Sequence, residues 1–133
     1  MPIKRIASGS AYEPKIGYCR AVAVDGRVLE SGTTGNDHAT MATPESVVDQ
    51  CELALGHIAV ALQNAGASFA DVVRVNYILP DRGNFEECWP LLRAAFGDNP
   101  PAATMIEAGL IDPAMKIEIE VTAFVTARLP QIA

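Results

Sequence analysis

Met115-Lys116-Ile117-Glu118-Ile119-Glu120-Val121-Thr122-Ala123-Phe124-Val125-Thr126 is the stretch that decides the fold. Side chains of an extended chain alternate between faces, so Met115, Ile117, Ile119, Val121, Ala123 and Val125 make one unbroken apolar face. The opposite face carries Lys116, Glu118, Glu120, Thr122 and Phe124. A strand of this kind packs its apolar side under helices and turns its polar side outward. Phe124 departs from that rule, and Val22, Val24 and Ile78 are spaced to share its face. This predicts that part of the outer face meets another subunit.

Working outward, Cys19 to Val24 and Arg27 to Ser31 flank Asp25-Gly26, a two-residue turn that tolerates positive φ, and so predict a β-hairpin. An edge strand around Ile3 to Ser8 precedes it. Ser31-Gly32-Thr33-Thr34-Gly35 ends the hairpin and opens a loop to Ala42. Thr43-Pro44-Glu45 then supplies an N-cap, a first-turn proline and a first-turn acid. Val48, Cys51, Leu55, Ile58 and Leu62 follow at helical spacing, and Asn64-Ala65-Gly66 ends the helix.

Asp71 to Leu79 alternates, with Val73, Val75, Tyr77 and Leu79 on one side. A second helix is predicted from Asn84 and Glu87, placed as a capping box, with Phe85, Trp89, Leu92 and Phe96 as its buried stripe. Gly97 and Pro100-Pro101 end it. Strands over Ala102 to Ala108 and Met115 to Thr126, joined across Asp112-Pro113, close the chain. The order β-β-β-α-β-α-β-β predicts an α+β domain over 1–133, with a mixed sheet of about six strands and two helices on one face.

Composition narrows the function classes. With 133 residues and a net charge of −6, the chain has no Lys/Arg stripe of the kind that binds phosphate backbones, which argues against nucleic acid. Three cysteines at wide spacing form neither a zinc pattern nor a disulfide framework, which points to a reducing, cytoplasmic compartment. The start lacks an apolar signal core, and no apolar run approaches ~20 residues, so no membrane partner is expected.

Several landmarks together resemble the RidA/YjgF family, also called endoribonuclease-like or translation-inhibitor proteins. They are the hairpin ending in Ser31-Gly32, Gln50, Ala65-Gly66, Val73-Arg74-Val75-Asn76, Phe85, Pro101-Ala102 and Lys116-Ile117-Glu118-Ile119-Glu120. The resemblance implies a chorismate-mutase-like fold, a homotrimer and small-molecule clefts between subunits. It also implies hydrolytic deamination of reactive enamines and imines such as 2-aminoacrylate, with no metal or cofactor. By the same resemblance Glu120 positions or activates water and Tyr18 closes the pocket. Thr104 stands beside the position where active members carry an arginine that grips the substrate carboxylate.

That arginine position reads Ala103 here, and Met105 replaces a small residue. A guanidinium suits a carboxylate because it offers two parallel donors, and losing it removes charge-assisted hydrogen bonds. A substrate other than 2-aminoacrylate is therefore expected. Arg20 and Arg74 are candidate substitutes for the clamp, or else salt-bridge residues. Thr33 and its neighbours could line the cleft through backbone amides. His38 could enter the cleft as an acid or base, or stay a loop histidine; His57 and Cys88 read as packing residues. Glu118 shares the face of Glu120 at ~7 Å, close enough for one carboxyl to raise the other's pKa. Three readings follow: a deaminase, a ligand-binding trimer without catalysis, and an endoribonuclease, the last disfavoured by the acidic charge.

Overall fold

The computed structural model describes residues 2–125. The elements are β1 (Ile3–Ile6), a short helix α1 (Tyr12–Ile16), β2 (Ala21–Val24), β3 (Arg27–Glu30) and β4 (Thr33–Thr34). They are followed by helix α2 (Val47–Asn64), β5 (Val72–Leu79), helix α3 (Trp89–Phe96), β6 (Ala102–Glu107) and β7 (Glu118–Phe124). All seven strands form one sheet, in the order β1-β2-β3-β7-β5-β6, with β4 also on β7. The last strand thus becomes a central one. Antiparallel β3 and β4 line one side of it and antiparallel β5 the other, while β6 runs parallel to β5 at the edge.

The alternation read from the closing segment holds residue by residue. Ile117, Ile119, Val121 and Ala123 are buried, with Met115 and Val125 nearly so. All of these but Met115 join Cys51, Ala54, Ile58 and Leu62 of α2 and Leu92 and Phe96 of α3 in one contiguous core. The hairpin is equally direct: Asp25 and Gly26 have φ of 52° and 74°, both left-handed, and set Val24 opposite Arg27.

Where structure and expectation differ, a competing interaction is visible. Helix α2 is capped by Ser46, whose hydroxyl accepts from Asp49 N at 3.0 Å, rather than by Thr43. In β5 a bulge between Val72 and Arg74 puts Val72 into the core and leaves Val73 exposed, reversing the expected side for Val73. The second helix starts at Trp89 behind two short 3₁₀ turns. No capping box joins Asn84 and Glu87, because Asp81 caps the first turn by accepting from Gly83 N. Trp89 is 48% exposed and so leaves the expected buried stripe. Helix α1 and strand β4 carry no pattern long enough to be read from sequence. Thr126 of the expected closing strand lies outside the described residues.

The ladder of β7 also begins three residues late, because Gln50 takes over. Its fully buried amide accepts from Lys116 N at 2.7 Å and donates to Ala114 O at 3.0 Å and Pro44 O at 2.7 Å. Gly35 allows the same helical turn to come close, since a Cβ there would lie 2.0 Å from the Gln50 carbonyl oxygen. Gln50→Met keeps volume but takes the partner from three part-buried backbone groups. It is expected to lower unfolding free energy by about 3 kcal/mol, measured by urea denaturation. A loss within the error of the fit would show that water replaces the amide.

Candidate functional site

The sheet face turned away from α2 and α3 carries the polar side of β7. Register places Glu120 beside Asn76 of β5, and Asn76 beside Thr104 of β6, so the three side chains form a row across adjacent strands. Asn76 Nδ2 donates to Glu120 Oε1 at 2.6 Å, and Arg74 Nη1 donates to Thr104 Oγ1 at 3.3 Å. Glu118 lies one step along, against the bare backbone of Gly32: a Cβ there would sit 2.7 Å from Glu118 Oε1. Burial first, then the charge of Glu120, raises the Glu118 pKa, with Arg20 acting the other way. Two carboxyls on one face therefore stand in unlike environments, one exposed and held by an amide, one half-buried and inclined to keep its proton.

The turn between β3 and β4 is built around Arg20, which is 6% exposed. Its Nη1 donates to Gly32 O at 2.9 Å and Thr33 Oγ1 at 2.8 Å, and its guanidinium lies 5.8 Å from the Tyr18 ring centre. Arg20 thus holds this turn and props Tyr18, which remains partly exposed, while its buried Nε has no hydrogen-bond partner among the described residues. The Thr33 side chain is buried and donates back to Ser31 O at 2.9 Å. His38 stacks on His57 with ring centres 3.8 Å apart, and His57 Nε2 donates to Asn36 O at 2.6 Å. His57 belongs to α2, and His38 lies close enough to Arg20 and Glu13 to feel their charges. Burial, then the neighbouring His57, lowers the His38 pKa.

Ala103 falls on the other face. It pairs with Val75, whose β7 partner is the buried Val121, so Ala103 and Met105 turn toward the helices while Thr104 turns toward Glu120. There they border a groove of about 400 Å³ whose walls include Tyr77, Phe85, Trp89 and Arg93. Within one chain the expected site is therefore split. Glu120, Glu118, Asn76, Thr104 and Arg74 share the open face; Ala103 and Met105 belong to the groove behind it. Sequence reading missed Asn76 as the partner of Glu120, since cross-strand register is not a local signal. It also missed Arg93, although the one-turn spacing from Trp89 was available.

One mixed sheet with its helices packed on a single face makes this an α+β fold. The sequence model of the family Endoribonuclease L-PSP matches residues 8–125, and the chain belongs to that family, the RidA/YjgF/UK114 group. Over 123 residues it is 28% identical to the human 2-iminobutanoate/2-iminopropanoate deaminase, covering 91% of this chain and 90% of that protein. The crystal structure of a Mycobacterium tuberculosis YjgF/YER057c/UK114 family member is similar with a TM-score of 0.85 at 35% identity, covering 93% of this chain and 100% of that one. RidA from the Antarctic bacterium Psychrobacter gives 0.77 at 28%, over 82% of this chain and 89% of its own. Among the described residues no helix is long and apolar enough to cross a membrane, and no cluster of His, Cys, Asp and Glu is placed to hold a metal ion.

Close to the Arg20 turn, Glu30 is 5% exposed and neither carboxyl oxygen has a hydrogen-bond partner among the described residues. Burial pushes its pKa from 4.5 up to about 8, with Arg20 pulling partly back. The folded chain then holds a proton that the unfolded chain releases, so stability from this group is full below about pH 4.5 and is lost as pH rises through about 8. Glu30→Gln is expected to remove that loss. Its stability relative to the parent should rise between pH 5 and pH 8.5 in urea titrations. A constant difference would mean that Glu30 is ionised in the fold.

Proposed function

We propose that this protein is a hydrolytic deaminase of a reactive enamine or imine, acting in clefts between the subunits of a homotrimer on a substrate other than 2-aminoacrylate. The observation that carries the reading is Glu120, exposed on the open face and oriented by the 2.6 Å bond from Asn76. Family membership supports it, as does the deaminase activity named for the human relative. Splitting of Glu120 and Ala103 between two faces favours a cleft shared by two chains: the open face of one subunit would meet the groove of the next. Leu29 and Phe124, exposed on the open face, are apolar surface for such a contact.

In this reading Glu120 accepts a proton from a water as the water oxygen bonds to the imine carbon. The nitrogen takes a proton from Glu118; as the C–N bond breaks, the hydroxyl oxygen closes to the carbonyl and its proton passes back to the Glu118 carboxylate, and ammonia and a carbonyl product leave. Glu118, on the same face and with its proton affinity raised by burial and by the Glu120 charge, would be the donor to the nitrogen. An enamine enters the same sequence after protonation at carbon. No step requires a metal, since an iminium carbon is already electrophilic. Tyr18, beside the Gly32–Thr33 turn, would cover the ligand.

Ala103 supports a second reading, a trimer that binds a small ligand without turning it over. The two are separated by assay. Glu120→Gln is expected to lower enamine hydrolysis about 100-fold or more without changing the fold, and unchanged rates would remove Glu120 from the mechanism. With freshly generated 2-aminoacrylate the parent is expected to release pyruvate near background, and Ala103→Arg to raise the rate. Light scattering at micromolar concentration should give three times the chain mass. A monomer would exclude the shared cleft.

A further inference from the structure

We infer that Arg93 is the anion-binding group of the groove behind β6, and that the groove takes a planar monoanion carrying a bulky apolar or aromatic group. This rests on the proposal that the groove is one wall of the ligand cleft. Three arginines stand near enough to the predicted site to replace the one absent at 103. Arg20 is buried and already donates to Gly32 O and Thr33 Oγ1. Arg74 lies on the opposite face and donates to Thr104. Arg93 alone of the three lines the groove that Ala103 borders.

The surroundings fit the role. Arg93 is exposed on α3 and forms no ion pair among the described residues, where the single salt bridge joins Arg82 to Glu107. Gly97 follows one turn later, and a Cβ there would lie 2.5 Å from the Arg93 carbonyl oxygen and 3.2 Å from Arg93 Cγ. The missing side chain leaves room for the arginine stem to run toward the end of α3, where Gly97, Pro100 and Pro101 border Ala103. A guanidinium suits a carboxylate there because it offers two parallel donors in a fixed fork.

The rest of the groove specifies the other end of the ligand. Phe85 sits edge-on to Trp89 at 6.2 Å and tilted against Tyr77 at 5.3 Å, forming an aromatic corner. Ala103 leaves the floor in front of that corner open, where a longer side chain would fill it. A small anion such as 2-aminoacrylate would reach Arg93 but leave the aromatic walls uncovered. A larger one covers both.

Trp89 is the only tryptophan in the chain, so its fluorescence reads occupancy of the groove without any assay of turnover. The probes are phenylacetate, its neutral counterpart 2-phenylacetamide, and acetate. Phenylacetate is expected to shift Trp89 emission saturably, with the amide and acetate each binding about tenfold or more weakly. Arg93→Gln should abolish the preference for phenylacetate over the amide while leaving the amide's affinity unchanged; Arg93→Lys should restore part of it. The inference is overturned if no probe saturates, or if the anion preference survives in Arg93→Gln, which would assign Arg93 to the end of α3 as a helix-terminus cation. Arg93-dependent binding without any enamine hydrolysis would retain the inference and reject the deaminase reading. Glu120-dependent hydrolysis with no effect of Arg93→Gln would do the reverse.

Discussion

One buried amide ties the molecule together. Gln50, in the first turn of α2, bonds to the backbone of residues 44, 114 and 116, and so joins the start of the helix to the approach of the central strand. The groups it satisfies are part-buried, and each would otherwise lose a hydrogen bond. Because β7 can begin its ladder only beyond this tether, the amide also sets which residues of β7 meet β4 and β5. The row Glu120–Asn76–Thr104 follows from that register.

The side-chain period of two then divides the chemistry. Neighbours along β6 must face opposite ways, so Thr104 joins the carboxylates while Ala103 and Met105 join the aromatic groove. Neither half is a complete pocket: one holds acid–base groups on an open sheet, the other apolar walls and one cation. In the proposed reading one chain would supply each half, and the contact would cover Leu29 and Phe124 of the open face.

Charge is arranged with the same economy. Arg20 sits in the interior, where its donors close the turn between β3 and β4, and Glu30 nearby is held toward its neutral form by burial. Glu118 is partly withdrawn from water, and that burial, with the Glu120 charge beside it, raises its pKa, while Glu120 is left in water.

Much of the fold was legible in the sequence because its signals are local and redundant. Alternation from Met115 to Val125 identified the buried face of the central strand, Asp25-Gly26 required a two-residue hairpin turn, and the apolar spacing from Val48 to Leu62 marked α2. The likeness of Glu120 and Ala103 to family positions was also readable, since it depends only on order along the chain. Tertiary structure alone decided the rest. The bulge that exchanges Val72 for Val73, the capture of Lys116 N by Gln50, and the opposite facing of Ala103 and Glu120 arise from pairings between residues far apart in sequence. Local propensity carries no record of such partners. The same holds for Arg20 and Arg93, equivalent as letters, one enclosed by backbone carbonyls and the other open to a groove.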